Sequence, residues 1–270
     1  MGKIVLTEEK ETLLIPLYGK AMENNKEKPI LADHKAVEIV DKIDYNFKSL
    51  KIPEKTNVMM CIRAKLMDDF VTRFLAAGTE NAAFHLGCGL DSRYNRIENS
   101  EVDWYDVDFK EVIEIRRHFY QETDHYHLIA SSVTEPQWIE KIPMEKQRCI
   151  VIAEGLFMYL KEDEIKTLIS LLKDRLGSYT LIFDAFSVLT AKNTGNHPSL
   201  KKTGAKINWG IDDPTELPKW GLNMQFVEEQ YFTSNKEIDN LDFGTRTIFR
   251  IANLFPAAKK AHRILTFQIN

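Results

Sequence analysis

Residues 84–93 read Phe-His-Leu-Gly-Cys-Gly-Leu-Asp-Ser-Arg, and they carry the most information about the fold of this chain. The apolar run that leads into Gly87 and Gly89 predicts a buried strand that breaks sharply into a helix. Glycine at both positions lets the main chain approach a ligand and accepts the positive φ that such turns often need. The same spacing also occurs in a simple tight turn. The stretch therefore indicates a nucleotide site only if a second strand supplies a suitably placed acid.

Such a strand is present at a suitable distance. Residues 102–108 read Val-Asp-Trp-Tyr-Asp-Val-Asp and predict a strand that ends in acid about 20 residues after the glycine turn, the spacing at which a carboxylate can bind a ribose. Asp106 and Asp108 share one face of such a strand, so either could bind the ribose hydroxyls. The alternative is that one of them caps the next helix.

Short apolar strands alternate with helical patterns from this point onward. We predict strands at 82–86, 102–107, 126–130, 149–153 and 179–183, and helices at 110–121, 135–141 and 162–176. This alternation predicts a parallel sheet with crossover helices. Two further strands, at 224–231 and 264–269, are expected to form an antiparallel, hairpin-like edge.

Two regions fall outside the alternation. Residues 1–80 read mainly as helices, and we expect them to cap the ligand-binding edge of the sheet. Residues 187–220 are rich in turn-forming residues and interrupt the pattern after the fifth strand, so we expect an insertion that covers the active site as a substrate lid. Residues 81–186 would then form the core sheet and residues 221–270 the C-terminal strands of one domain.

The composition disfavours several classes of protein. A chain of 270 residues with 44% hydrophobic content can bury a large core. A net charge of -4 and a pI near 6.0 disfavour nucleic acid as the main partner. The chain shows no signal-peptide core and no run of 18 apolar residues, so we expect neither secretion nor membrane insertion. Cys61, Cys88 and Cys149 are odd in number and widely spaced, which predicts reduced thiols in a cytoplasmic protein.

These stretches resemble the leucine carboxyl methyltransferase family, and more closely its bacterial branch of tetracenomycin-synthesis-like O-methyltransferases. The resemblance is carried by residues 85–93, by residues 104–117 (Trp-Tyr-Asp-Val-Asp-Phe-Lys-Glu-Val-Ile-Glu-Ile-Arg-Arg) and by residues 153–160 (Ala-Glu-Gly-Leu-Phe-Met-Tyr-Leu). Residues 15–21 (Ile-Pro-Leu-Tyr-Gly-Lys-Ala) and 203–214 (Thr-Gly-Ala-Lys-Ile-Asn-Trp-Gly-Ile-Asp-Asp-Pro) extend it over nearly the whole chain.

The resemblance implies both a fold and a reaction. The fold would be α/β, a Rossmann-like class I methyltransferase sheet of about seven strands with the last one antiparallel. The reaction would be transfer of a methyl group from S-adenosylmethionine, leaving S-adenosylhomocysteine, to a carboxylate or phenol of a small molecule such as a polyketide-like metabolite. No metal is required, since methyl transfer is a displacement that depends on positioning donor and acceptor.

Several donor-binding residues are implied by the resemblance. Gly87 and Gly89 would approach the methionine and ribose portions of the donor, and Asp108 is favoured over Asp106 for the ribose hydroxyls. Glu154 ends an apolar strand and matches a donor contact, with a carboxylate that caps the next turn as the alternative.

Two further positions match the family less closely. Ser132 ends the third strand, where methyltransferases often contact adenine, but the leucine carboxyl methyltransferase branch carries an acidic residue there, so the match is incomplete. Lys20 aligns loosely with a lysine near the donor. The alternative for Lys20 is an ordinary solvated side chain.

Arg63 is the candidate outside the sheet. Within residues 58–77 it falls on one helical stripe with four apolar side chains, Met59, Leu66, Phe70 and Phe74. An arginine in such a face needs an anionic partner, because burying an unpaired cation is costly. The resemblance supplies the donor carboxylate, which a guanidinium can bind bidentately. The alternatives are an internal ion pair, to Asp91 or Glu154 for example, or a side chain that reaches out to solvent.

The acceptor site is less well marked. His197, Lys201 and Lys202 lie in the predicted insertion and could bind an acidic group of the substrate, although loop cations are commonly just solvated. No dedicated general base stands out in the sequence. That absence favours a carboxylate acceptor, because a phenol would benefit from a base.

Two other functions compete with methyl transfer. An NAD(P)-dependent oxidoreductase would need a third glycine where this chain has Ser92. A non-catalytic relative that binds S-adenosylmethionine without turning it over is compatible with the same residues.

Overall fold

A seven-stranded sheet forms the centre of the molecule in the computed structural model, which describes residues 4–5, 11–97, 101–142, 147–194 and 206–270. The strands are β1 (Asn81–Leu86), β2 (Asp103–Asp108), β3 (Tyr126–Ala130), β4 (Arg148–Ala153), β5 (Tyr179–Phe186), β6 (Met224–Tyr231) and β7 (His262–Ile269). Their order across the sheet is β3-β2-β1-β4-β5-β7-β6. The first five pair in parallel, and β7 runs antiparallel to both of its neighbours.

The order of the strands reverses between β1 and β4. Phe84 in the middle of β1 pairs with Tyr105 of β2 on one side and with Val151 of β4 on the other. All six residues of β1 are buried, as expected for a parallel strand covered on both faces. In open α/β sheets, ligands bind beyond the carboxyl ends of the strands at such a reversal point. The turn after β1 therefore lies where a ligand is expected.

Helices cover both faces of the sheet. They are α1 (Glu11–Asn24), α2 (His34–Lys42), α3 (Glu54–Ala76), α4 (Arg93–Ile97), α5 (Lys110–Arg116), α6 (Gln137–Glu140), α7 (Glu162–Leu176), α8 (Val188–Thr194), α9 (Phe243–Leu254) and α10 (Pro256–Lys259). Short 3-10 helices span Phe47–Leu50, Phe157–Tyr159, Pro214–Trp220 and Lys236–Asn240, and Ile4–Val5 pairs in parallel with Ile43–Asp44.

Each face of the sheet has its own apolar core. The N-terminal helices α1, α2 and α3 pack on one face together with α5, around strand residues such as Ile150 and Ile182. On the other face, α6 and α7 pack with the 3-10 segment Pro214–Trp220, whose Leu217 is buried. The helical region before β1 is thus built into the core, where it can place side chains at the ligand edge.

The fold confirms the predicted sheet and corrects several details. The helix expected at 110–121 ends at Arg116, because the chain turns there and buries Phe119 and Tyr120. Helix α9 was not predicted. As predicted, the last two strands form an antiparallel pair at the edge of the sheet, with β7 beside β5 and β6 outermost; their connection is long and contains α9 and α10.

Candidate functional site

The turn after β1 has the geometry that the sequence predicts. Gly87 and Gly89 adopt φ values of 63° and 53°, in the left-handed region that favours glycine. A Cβ atom at Gly87 would lie 3.0 Å from Cδ1 of Leu156. The amide of Gly87 donates a 2.8 Å hydrogen bond to the carbonyl of Val107, which ties the turn to the end of β2.

Asp108 lies directly beside this turn. Its Oδ2 accepts a 2.7 Å hydrogen bond from the amide of Gly89, and its Oδ1 accepts one of the same length from the amide of Phe109. Burial raises the pKa of Asp108, and the two amides offset that effect only in part. Each carboxylate oxygen can accept a further hydrogen bond. Asp108 can therefore still receive the hydroxyls of a ribose.

Asp106 is occupied within the fold. It forms an ion pair with Arg116, accepts hydrogen bonds from Trp104 Nε1 at 2.9 Å and from the Tyr126 hydroxyl at 2.5 Å, and lies 3.2 Å from Nδ1 of His85. Burial opposes its ionisation, but Arg116 and His85 outweigh burial and lower the pKa of Asp106 to about 2. Its carboxylate is completely buried. The carboxylate of Asp106 is therefore engaged within the fold, whereas that of Asp108 could still accept hydrogen bonds from a ligand.

Arg63 points from α3 to the carboxyl ends of β4 and β5. Its Nε lies 3.0 Å from Oε1 of Glu154, and its Nη1 lies 3.0 Å from Oδ2 of Asp184. Burial would lower the pKa of Arg63, but Asp184 and Glu154 outweigh it and raise that pKa. A Cβ at Gly155 would lie 3.5 Å from the remaining nitrogen, Nη2. The internal ion pair with Glu154, one of the alternatives, is thus present.

The predicted stripe around Arg63 is only half-buried. The fully buried face of α3 includes Cys61, Met67 and Val71. Phe70 and Phe74 lie beside that face and pack against the core from its margin. This position lets the arginine reach the end of the sheet while 13% of its side chain stays exposed.

Glu154 is shared by three cations. It pairs with Arg63 and with Arg93, and Nζ of Lys20 lies 4.0 Å from its Oε1. Burial would raise the pKa of Glu154, but Lys20, Arg63 and Arg93 hold it well below its usual range. Glu154 is therefore an anion at the end of β4.

Lys20 is buried, so the alternative that it is an ordinary solvated side chain is wrong. Only 3% of the residue is exposed, and its Nζ lies 2.8 Å from Oδ1 of Asp91. Helix α1 thus brings Lys20 onto the turn after β1. The buried pairing of this lysine with Asp91 has no signal in the sequence.

Several charged residues at this edge were missed in the sequence. Arg93 lies 2.6 Å from Asp68, and Arg96 lies 2.6 Å from Asp68 and 2.7 Å from both Asp33 and Asp91. Arg93 and Arg96 lie three residues apart directly after the glycine turn, and this position could have marked them as candidate site residues in the sequence. Asp184 could have been identified in the same way, because it is an acid within the apolar strand β5.

Together these side chains form what we call the charged cluster. Its described members are the cations Lys20, Arg63, Arg93 and Arg96 and the carboxylates Asp33, Asp68, Asp91, Glu154 and Asp184. Four cations and five carboxylates leave one negative charge. S-adenosylmethionine carries a sulfonium, an ammonium and a carboxylate, hence one net positive charge, so its charge complements the cluster.

One buried atom of the cluster also fits the donor. Oδ2 of Asp91 is buried and forms no hydrogen bond among the described residues, although Nη1 of Arg93 lies 3.4 Å from it. This carboxylate oxygen can therefore still accept a hydrogen bond from a ligand. The ammonium of a methionine group is a donor of the required kind.

Ser132 lies at the third strand of the same edge. It follows β3, and the amide of its neighbour Ser131 donates a 2.9 Å hydrogen bond to the carbonyl of Asp108. The hydroxyl of Ser132 lies 2.8 Å from that of Thr134. Ser132 therefore directly follows the residue that joins the end of β3 to the end of β2.

The predicted acceptor residues His197, Lys201 and Lys202 lie outside the described residues. Beyond them the chain returns to the ligand edge, where the amides of Asn208 and Trp209 donate to the carbonyl of Met158 at 2.8 and 3.2 Å. The rest of the predicted lid, Pro214–Trp220, instead packs against α7, with Lys166 over the ring of Trp220.

The side chain at Ser92 argues against the oxidoreductase alternative. This residue is buried, and its hydroxyl donates to both oxygens of Asp33, at 2.5 and 2.6 Å. The position that a dinucleotide fingerprint reserves for glycine is thus occupied by a side chain with a structural role.

The described ranges contain neither a metal-binding cluster nor a membrane-spanning helix. No three His, Cys, Asp or Glu side chains there converge in a way that could hold a metal ion. None of the described helices combines the length and apolar character needed to cross a bilayer.

Comparison with known proteins identifies the family of this chain. The model of the leucine carboxyl methyltransferase family matches residues 13–173. The tetracenomycin polyketide synthesis O-methyltransferase TcmP of Streptomyces glaucescens is 32% identical, over 99% of this chain and 99% of its own. The S-adenosyl-L-methionine-dependent methyltransferase dpfgK of Gibberella zeae is 27% identical, over 94% of this chain and 93% of its own.

Solved structures support the fold. A DUF574 family protein from Streptomyces avermitilis superposes with a TM-score of 0.62 at 11% identity and covers 98% of this chain and 100% of its own. Magnesium protoporphyrin IX methyltransferase from Synechocystis PCC 6803 gives a TM-score of 0.50 at 14% identity and covers 81% and 89%. The predicted sheet and the predicted resemblance are both confirmed: the chain belongs to the leucine carboxyl methyltransferase family of S-adenosylmethionine-dependent methyltransferases.

Proposed function

We propose that this protein transfers the methyl group of S-adenosylmethionine to an oxygen atom of a small molecule. The observation that carries the proposal is the charged cluster, which closes around the turn of Gly87 and Gly89 with one uncompensated negative charge. The 32% identity to an O-methyltransferase over nearly the full length supports oxygen as the acceptor atom.

In this proposal, different residues of the charged cluster bind different groups of the donor. Arg63 binds the donor carboxylate, Asp91 and Glu154 accept from its ammonium, and Lys20 keeps those two acids in place. When bound, S-adenosylmethionine supplies a methyl group made electrophilic by the sulfonium. The protein's part is to hold donor and acceptor in line and to exclude water.

The remaining donor contacts come from the first three strands. Asp108 accepts hydrogen bonds from the ribose hydroxyls, and Ser132 lies near the adenine. Gly87 and Gly89 allow the close approach of the main chain, since a side chain at either position would hold the ligand away.

The acceptor in this proposal is a small molecule with a carboxylate or a phenol, such as a polyketide-like metabolite. The name of the Streptomyces relative supports that class. We further propose that residues 187–212 form the lid and that His197, Lys201 and Lys202 bind an acidic group of the acceptor. The three cysteines Cys61, Cys88 and Cys149 are free thiols, which is consistent with a reducing, cytoplasmic location.

Two measurements test the function. Titration calorimetry should detect binding of S-adenosylmethionine and S-adenosylhomocysteine but not of NAD. Incubation with donor labelled in the methyl group, against a panel of carboxylic acids and phenols, should then label an acceptor. NAD binding without donor binding would refute the proposal, and donor binding without any labelled acceptor would favour the non-catalytic relative.

A further inference from the structure

Helix α9 turns an apolar face to solvent. Positions 243, 247, 251 and 254 recur at helical spacing on its outer side, and positions 244 and 248 lie beside them. The large apolar side chains exposed along this segment are Phe243 (77%), Ile248 (44%), Ile251 (52%), Leu254 (76%) and Phe255 (60%). The inner side of the helix carries the buried Thr245 and Phe249. Helix α9 thus departs from the usual surface helix, whose outer side is polar. We call this surface the α9 face.

The α9 face contains no charged side chain. The two arginines of the helix, Arg246 and Arg250, lie along one margin of it. The guanidinium of Arg246 lies 5.9 Å from the ring centroid of Phe243, and Nη2 of Arg250 lies 2.8 Å from Oδ1 of Asp239. Single exposed apolar side chains are common on any protein surface, but a row of large ones on one helix marks a site of association.

The charges beyond the two ends of the α9 face have opposite signs. Before the face, the 3-10 helix Lys236–Asn240 and the residue that caps α9 supply three acids against one lysine; the acids are Glu237, Asp239 and Asp242. After the face come Lys259 and Lys260, and residues 243–270 contain no acid. The side chain of Asp239 is 67% exposed, so it can be reached by another molecule. The face therefore has an acidic start and a basic end.

We propose that the α9 face is the interface of a homodimer, in which α9 packs antiparallel against α9 of a second copy about a two-fold axis. A two-fold contact joins the same patch on both copies, so the patch must complement itself. Antiparallel packing meets this condition, because it brings the acidic start of one face onto the basic end of the other. With the axis at the middle of the helix, Phe243 faces Phe255 and Asp239 faces Lys259 of the second copy.

An anionic membrane fits the same face less well. Helices that bind such membranes carry lysine and arginine along their polar margin, as Arg246 and Arg250 do here. The acids Glu237, Asp239 and Asp242 at the start of the helix would be repelled by that surface, however, and Arg250 is already paired with Asp239. A second copy complements both ends of the face.

The size of the α9 face sets the strength of the contact. A helix of 12 residues is about 18 Å long, which is short for the interface of a permanent dimer. We therefore expect a dimer that dissociates on dilution. This inference is independent of the proposed function, because none of the residues involved belongs to the donor site.

Sedimentation equilibrium of the whole chain over a concentration series tests the inference. The wild type should pass from monomer to dimer as its concentration rises. The variant Ile251→Glu places a charge within the apolar face of both copies, so its dissociation constant should rise about 100-fold or more. The control Phe109→Glu changes an apolar residue of similar exposure that follows β2, toward the other edge of the sheet, and it should dimerise like the wild type. Thermal unfolding shows whether each variant is folded.

Charge reversal tests the antiparallel arrangement. The variants Asp239→Lys and Lys259→Glu should each raise the dissociation constant several-fold, because each brings like charges together across the interface. The two changes combined in one chain should restore the affinity of the wild type. Within one chain these residues lie beyond opposite ends of α9, too far apart to pair, so the rescue requires a second copy.

Several results would contradict the proposed dimer. A wild type that stays monomeric at the highest concentration reached, or a dimer that Ile251→Glu leaves intact, would overturn the inference. A double variant that dimerises no better than the single variants would overturn it too. If the monomeric chain instead sediments with phosphatidylserine vesicles and Ile251→Glu abolishes this, the α9 face binds membranes and the inference is wrong.

Discussion

Arg63 of α3 and Glu154 at the end of β4 stand 91 residues apart in sequence, and their Nε and Oε1 atoms lie 3.0 Å apart in the fold. This pair joins the N-terminal helical region to the centre of the sheet. It also places a cation and an anion together where the donor's carboxylate and ammonium are proposed to bind. Arg63 therefore has a structural role and a proposed ligand role at once, and experiments must separate the two.

The variant Arg63→Ala should bind S-adenosylmethionine much more weakly. Losing a charged partner in a water-poor site costs about 2 to 5 kcal/mol by analogy with buried charge pairs. Arg63→Lys should restore only part of the affinity, because the bidentate fork is lost. Calorimetry measures the affinity, and thermal unfolding shows whether the variant is folded.

A matched control for this experiment lies on the same helix. Arg73 is 61% exposed at the side chain, and its Nη2 lies 3.6 Å from Oε1 of Glu228. Arg73→Ala should leave donor affinity unchanged, since exposed ion pairs contribute little. If Arg63→Ala folds and binds the donor as tightly as the wild type, the assignment of Arg63 is wrong.

Asp108→Asn should weaken donor binding without unfolding the protein. The amide keeps the shape of the side chain but loses the charge that strengthens a hydrogen bond from a ribose hydroxyl, a loss of about 1.5 to 3 kcal/mol. Calorimetry with S-adenosylhomocysteine measures this effect free of turnover. Asp103→Asn, at the other end of β2, is the control. Equal affinities of Asp108→Asn and wild type would exclude the ribose role.

Asp106 should make the folded state sensitive to acid. Its ordinary pKa is 3.8, and in the folded protein burial is outweighed by Arg116 and His85, which lower the value to about 2. A lowered carboxylate pKa stabilises the fold above the unfolded value, and this contribution disappears as the pH falls through the folded value. About 2 kcal/mol of unfolding free energy should therefore be lost between about pH 4 and pH 2.

The variant Asp106→Asn tests the same network. It should lack that part of the acid dependence and lose about 3 to 5 kcal/mol of stability at neutral pH, because Arg116 is left buried without its anion. Denaturant unfolding across the pH series measures both effects. Asp69→Asn, which removes a partly exposed partner of Lys65, should cost less than about 1 kcal/mol. A neutral Asp106→Asn would show that the network does not stabilise the fold.

Neutralising Lys201 and Lys202 together should impair acceptor binding alone. On an acceptor that carries an acidic group, the variant with glutamine at both positions should show a KM raised several-fold, with kcat and donor affinity nearly unchanged, as expected when only ground-state binding is lost. Lys219→Gln, an exposed lysine of the Pro214–Trp220 segment outside the proposed lid, serves as the control. Unchanged kinetics on a verified acidic acceptor would refute the role of these lysines.

Local patterns in the sequence were sufficient for the sheet and for the glycine turn at its ligand edge. The apolar run ending at Gly87 and Gly89 and the strand ending at Asp108 were predicted by short-range rules, because strand burial and positive φ depend on neighbouring residues. The same holds for helix α7, predicted at 162–176 and found at Glu162–Leu176. Helix α9 was not predicted; only Thr245 and Phe249 of it are buried, while Ile251 and Leu254 are exposed.

Only the tertiary structure decided which charges meet. The sequence singled out Arg63 as needing an anion and Glu154 as a strand-end acid, but it did not reveal that Asp184 also pairs with Arg63 or that Lys20 is buried beside Asp91. It also showed no sign that β7 inserts beside β5 and brings His262 onto Asp184. An ion pair or a strand pairing between distant segments leaves no periodic trace in either segment, because the interaction exists only after the fold has brought them within a few ångströms.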